Sequence, residues 1–410
     1  MLAYFLYLEN LKILGQSLNN GDAFSTASIT LVEKKPNGGK RKKAVIVLAD
    51  GTVVHGEGFG AVGEVDGEFV FNTGMVGYVE SITDPSYWGQ ILIQTYPLIG
   101  NYGVNPEDFE SDGPKIRGFV VRECIDTPSH KTSVMSLSEW LEKESIPGIS
   151  RVDTRMLTQK IRVKGTQLGI LKVYYEDESI DLNELLERAK MVQDPNKRNL
   201  AAEVSTKKII EHAPVKENGF KIVLIDFGVK KSIVLNLLEL GFRVVQVPHD
   251  TSLEKIMGLE PDGILVSNGP GDPAILDYAF KTVRGLIEYG LPVFGICLGN
   301  QLISLALGAT TYKLKFGHRG QNHPSIDLET GRVLITSQNH GFAVSKESLG
   351  GSGLRLTHLN VNDGTVEGVE MEGKPVFGVQ FHPEASPGPF DARIYFEKFL
   401  RLVEKNKGKS

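Results

Sequence analysis

What most constrains this chain is the C-terminal half, where near-continuous apolar strands alternate with segments of helix length. Lys221 to Asp226, Phe242 to Val247, Gly263 to Ser267 and Val293 to Ile296 are apolar at almost every position. A strand of that kind is buried on both faces, so the pattern predicts a largely parallel sheet flanked by helices, an α/β domain over residues 220–405. Ligands on such sheets bind beyond the carboxyl ends of the strands. The residues that follow each strand are therefore where chemistry is expected.

At 410 residues the chain is long enough for two or three domains. Residues 44–193 read as an α+β domain: short strands punctuated by His55-Gly56, Gly60, Gly63, Asp66-Gly67 and Thr73-Gly74, with helical patterns at Ser136 to Lys143 and Leu182 to Met191. Residues 194–219 are polar, carry Pro195, Pro214 and Gly219, and read as a linker. Residues 1–43 read as a terminal extension ending in a basic linker, Lys34 to Lys43, whose lack of aromatic residues favours a solvated segment over a nucleic-acid patch. In Met1 to Leu14, Glu9, Asn10 and Lys12 break the apolar run well short of a membrane span. A net charge of -5, from 45 basic and 50 acidic residues, supplies no global attraction to nucleic acid or to an acidic membrane. Cys124 and Cys297 lie in unlike settings far apart, so no disulfide is expected and a cytoplasmic location fits.

Cys297 stands between the strand Leu291 to Ile296 and the helical pattern Leu298 to Leu307, with Gly295 and Gly299 two positions to either side. A sharp strand-to-helix turn needs small residues there, because the backbones approach closely. The helix dipole favours a thiolate at that place; a buried structural cysteine is the alternative. His382-Pro383-Glu384 follows the apolar strand Phe377 to Phe381, and the proline holds base and carboxylate on one rigid tripeptide. Gly269 and Gly271, after the strand Gly263 to Ser267, offer uncrowded backbone donors for an oxyanion. A phosphate loop competes for that reading but lacks a Gly-Lys-Ser/Thr ending. His340 is a rival base without a neighbouring carboxylate. His318 and His323 have no acidic or cysteine partner at ligand spacing, so no metal is expected.

Gly269-Pro270-Gly271, the elbow Gly295 to Gln301 and His382-Pro383-Glu384 resemble, in order, the motifs of the class I (triad) glutamine amidotransferases. The resemblance extends from about Ala44 to about Val403 and, through Val70 to Tyr78, Thr83 to Tyr87, Pro97 to Asn101, Val152 to Arg155 and Glu384 to Pro389, narrows to the carbamoyl phosphate synthase small-chain family. It implies that Cys297 attacks the side-chain amide of glutamine, His382 shuttles protons and Glu384 orients His382. It also implies that glutamine is held by Ser86, Gly269, Gly271, Leu298, Gln301, Asn339, Gly341 and Phe342. The same likeness implies no cofactor in this chain and a large synthetase chain as partner, in a heterodimer able to assemble further. That partner would hold ATP and magnesium and make carbamoyl phosphate, a precursor of arginine and pyrimidines. Arg319-Gly320-Gln321 varies a Gly-rich loop of the family. A noncatalytic regulatory subunit and a different triad amidotransferase remain as alternatives.

Overall fold

The computed structural model describes residues 40–408. The extension therefore lies outside the described residues, apart from its end: Lys42 and Lys43 open the first strand. Seven strands close into a barrel in the order β1-β2-β8-β6-β4-β3-β9. They are β1 Lys42–Leu48, β2 Val53–Gly60, β3 Gly63–Asn72, β4 Gln90–Gln94, β6 Gly118–Val120, β8 Pro147–Ser150 and β9 Gln167–Tyr175; β5 Leu98–Ile99 and β7 Glu123–Cys124 form a separate parallel pair. Alternation along β1 shows why its run is apolar throughout. Ala44, Ile46 and Leu48 meet Phe69, Ile91, Val120, Ile149 and Leu171 inside the barrel, whereas Val45 and Val47 face outward onto the helix Leu182–Lys190.

The second half is built on a ten-stranded sheet, ordered β10-β12-β11-β13-β14-β19-β18-β17-β15-β16. Its strands are β10 Ile210–His212, β11 Lys221–Asp226, β12 Arg243–Pro248, β13 Gly263–Val266, β14 Val293–Ile296, β15 Thr311–Asp327, β16 Val333–Val344, β17 Leu354–Asn360, β18 Val366–Met371 and β19 Val376–Val379. In β11, Val223 and Ile225 pack with the helices Asp277–Glu288 and Leu298–Ala306 on one face; Ile222 and Leu224 pack with Lys231–Glu239 and Ile394–Lys407 on the other. Each such side chain contributes roughly 1.5–3 kcal/mol when fully buried. Burial on both faces is the physical content of the uninterrupted apolar strands.

Parallel pairing runs through β12, β11, β13, β14 and β19. The rest of the sheet departs from the expected largely parallel arrangement, because β18, β17, β15 and β16 add on antiparallel beyond β19, and β10 does so at the other edge. The sheet is mixed. Polar segments 311–327 and 333–344 form its far end as a long hairpin with register shifts on either side of His318–Gly320, a pattern that apolar periodicity does not reveal. Residues 194–219 are more than a linker: Pro195–Lys197 is a turn of 3-10 helix, Leu200 and Ala201 are buried, and Ile210–His212 is the strand that pairs with β12. Among the described residues no helix is long and apolar enough to cross a membrane.

Candidate active site

Four neighbouring parallel strands deliver the chemistry at one edge. Register sets Ile225 beside Val266, Val266 beside Gly295, and Ile296 beside Val379, so β11, β13, β14 and β19 end together. The segments that follow carry Lys230, Asn268 to Gly271, Cys297, and Gln380 to Glu384. This is the carboxyl-end placement expected for an open α/β sheet.

Cys297 takes φ 53° and ψ -101°, a left-handed conformation that a side chain rarely adopts. The flanking glycines permit it. A Cβ at Gly295 would lie 2.5 Å from the Gly299 carbonyl oxygen, and one at Gly299 only 2.1 Å from the Val266 carbonyl oxygen. Sγ sits 3.7 Å from the Asn339 carbonyl oxygen, and the Gln380 Nε2 donates to it at 3.6 Å. Gln301 Nε2 donates to Gln380 Oε1 at 3.1 Å, which aims the other end of that amide at sulfur.

His382 Nδ1 lies 2.6 Å from Glu384 Oε1, while its Nε2 is buried without a hydrogen-bond partner. Burial alone would depress the imidazole, but Glu384 and the Cys297 thiol outweigh it and raise its pKa above the ordinary value. Burial likewise works against an ionised Glu384, yet the Lys230 ammonium and His382 hold its carboxyl well below the usual range. Lys230 Nζ donates to Glu384 Oε1 at 2.9 Å and to the Ala385 carbonyl at 2.6 Å. Thiol, imidazole, carboxylate and ammonium thus form one buried series.

A cleft opens over the thiol, and both halves of the molecule line it. Ser86, Gly269, Gly271, Gln301, Asn339, Gly341 and Phe342 are all on its wall; Leu298 is buried at the first turn of the helix behind Cys297. Ser86 sits in the turn Pro85–Tyr87, capped by Asp84, and its Oγ accepts from Asn268 Nδ2 at 3.0 Å. The second oxygen of Asp84 accepts from Asn339 Nδ2 at 2.7 Å. One carboxylate therefore ties the barrel half to the hairpin.

His318, His340 and Glu367 have ligand atoms within 4.8 Å of one another, and His318 Nε2 lies 2.8 Å from Asp363 Oδ2. The β17–β18 turn and β18 thus supply the acidic neighbours, Asp363 and Glu367, that sequence spacing lacked. Their lone pairs are already engaged: Glu367 accepts from Gln338 Nε2 at 2.7 Å and Asn360 Nδ2 at 2.9 Å. Both His340 nitrogens lie 2.8 Å from oxygens, of Phe342 and Gln338, so the rival base turns no free nitrogen toward the thiol.

Comparison with known proteins finds relatives for both halves of the chain. Residues 46–171 match the family model for the carbamoyl-phosphate synthase small chain, CPSase domain, and residues 223–402 match that for glutamine amidotransferase class-I. A carbamoyl phosphate synthase small chain of Thermotoga maritima is 46% identical over 394 residues, covering 89% of this chain and 99% of that one. Its counterpart in Methanopyrus kandleri is 50% identical over 364 residues, covering 89% and 100%. This chain belongs to the carbamoyl phosphate synthase small-chain family. As a small chain it also shows what its motifs left out. Lys230, Gln380, Asp84 and Asn268 shape the site through contacts made across long sequence separations, although Asp84 and Gln380 lie inside the legible segments Thr83 to Tyr87 and Phe377 to Phe381 and Asn268 directly precedes Gly269. A lysine between an apolar strand and an apolar helix was the available signal for Lys230.

Proposed function

We propose that this small chain hydrolyses glutamine and passes the ammonia to a large synthetase chain, with Cys297, His382 and Glu384 as the catalytic residues. The observation that carries the reading is the unpartnered His382 Nε2 beside the Cys297 thiol, with Glu384 held ionised behind it by Lys230. His382 Nε2 takes the thiol proton as sulfur attacks the side-chain amide carbon of glutamine. The resulting oxyanion is met by the Leu298 N–H, free at the helix N-terminus, and by the backbone about Gly269 and Gly271. His382 then gives the proton to the leaving nitrogen. Ammonia departs and a glutamyl thioester remains. Water, deprotonated by His382, attacks the thioester; glutamate leaves and sulfur recovers its proton.

Ser86, Gly269, Gly271, Leu298, Gln301, Asn339, Gly341 and Phe342 hold the substrate in this reading, and the convergence of all but Leu298 on the wall of one cleft supports it. ATP and magnesium belong to the large chain, in a heterodimer in the cytoplasm, where Cys124 and Cys297 remain free thiols. Acid quenching of the complex during turnover of radiolabelled glutamine tests the covalent step. Label is expected on the parent small chain and absent from Cys297→Ser. Equal labelling of both would remove Cys297 from the mechanism.

A further inference from the structure

We propose that Arg319 is the subsite for the α-carboxylate of the substrate, an inference that rests on the glutaminase reading. Arg319 lies in β15, between its two register shifts, and it is 3% exposed. Its guanidinium lines the same cleft as Cys297. Nη1 donates to the Phe316 carbonyl at 2.7 Å, and Nε has no partner. Two glycines make room for it: a Cβ on Gly317 would lie 2.2 Å from Nη1, and one on Gly341 would lie 3.2 Å from Nη2.

An arginine stays charged, and a charge withdrawn from water is costly unless an opposite charge meets it. The other cations beside the cleft, buried Lys230 and the more exposed Lys313, have theirs. Lys230 pairs with Glu384, and Lys313 reaches Glu68 at 2.8 Å and Asp194 at 3.4 Å. Glu68 is the acid whose charge acts on Arg319, but its oxygens are already taken by Lys313, Thr166 at 2.8 Å and Gln90 at 3.1 Å. Among the described residues, Arg319 is the cleft cation left without a carboxylate. Glutamine entering the cleft brings one. The thiolate is a poorer match, because Cys297 already receives the Gln380 amide, and its charge is transient whereas that of the α-carboxylate is permanent. Planar, multidentate recognition of a carboxylate is also what a guanidinium does best.

The test compares L-glutamine with 4-aminobutanamide, which is glutamine without its α-carboxylate, as substrates of the complete two-chain complex carrying the parent chain, Arg319→Gln or Arg319→Lys. The ratio of kcat/KM for glutamine to that for 4-aminobutanamide is expected to fall by at least about tenfold in Arg319→Gln, with Arg319→Lys between it and the parent. Partial misfolding scales both substrates alike and leaves the ratio where it was. An unchanged ratio in both variants would overturn the assignment. If the parent complex hydrolysed neither amide, the glutaminase reading would fall separately. Equilibrium binding of the same two compounds to parent and variant chains would still decide the subsite.

Discussion

One methyl group at position 299 should dismantle the nucleophile turn. Its carbon would stand 2.1 Å from the Val266 backbone oxygen, where neither partner is a flexible side-chain end. Gly299→Ala is expected to lose about 1–3 kcal/mol in urea unfolding and to lose most glutamine hydrolysis, because relief of the clash moves Cys297 away from His382. Behind His382, the Lys230–Glu384 pair makes two further predictions. Lys230→Met leaves a buried carboxylate with only the imidazole to balance it, and should destabilise the chain by about 3 kcal/mol in the same assay. The Glu384 carboxyl is depressed from 4.5 to about 2 on folding, the sum of opposing effects in which Lys230 and His382 outweigh burial. A depressed carboxyl contributes stability that is whole above 4.5 and is lost as pH falls through the folded value. Unfolding free energy measured between those pH limits should therefore decline less steeply in Glu384→Gln than in the parent.

At the scale of elements, the site depends on how strands end and which turns meet them. The turn Pro85–Tyr87 is capped by Asp84, whose other oxygen holds Asn339 on β16. Asp84→Ala removes both, and a lost cap costs about 1 kcal/mol. The expected result is a KM for glutamine raised by about tenfold with a smaller change in kcat, measured as ammonia released. The elbow at Cys297, the tripeptide His382 to Glu384 and the parallel strands were legible in the sequence because each is set by local sterics or by burial on both faces. Gly295, Gly299 and Pro383 are requirements of the backbone itself. The hairpin β15–β16 was not legible, since polar residues such as Arg319, Gln338 and Asn339 are buried in it, which apolar periodicity does not show. Residues 194–219 were misread for the same reason: their polarity serves contacts such as Asn196 with Glu68, which composition does not distinguish from solvation. Lys230 and Arg319 needed three-dimensional neighbours before their charge meant anything.

Across the whole molecule, the cleft is a joint between the barrel half and the amidotransferase half. Ser86 meets Asn268, Glu110 Oε2 accepts from Ser232 Oγ at 2.5 Å, and Gln321 reaches the Val76 carbonyl at 2.7 Å, so substrate contacts and contacts between the halves are interleaved. Both tryptophans, Trp88 and Trp140, lie in the barrel half, whereas the thiol lies in the other. Tryptophan fluorescence and glutaminase activity are therefore expected to disappear over one thermal transition; two separated transitions would show that the halves melt independently. The division of labour between chains is tested most directly by carbamoyl phosphate synthesis in the purified two-chain complex carrying Cys297→Ser, supplied with ATP, bicarbonate and either glutamine or ammonia. Synthesis from glutamine is expected to be abolished while synthesis from ammonia persists at the parent rate. Equal loss of both, or survival of synthesis from glutamine, would contradict that division of labour.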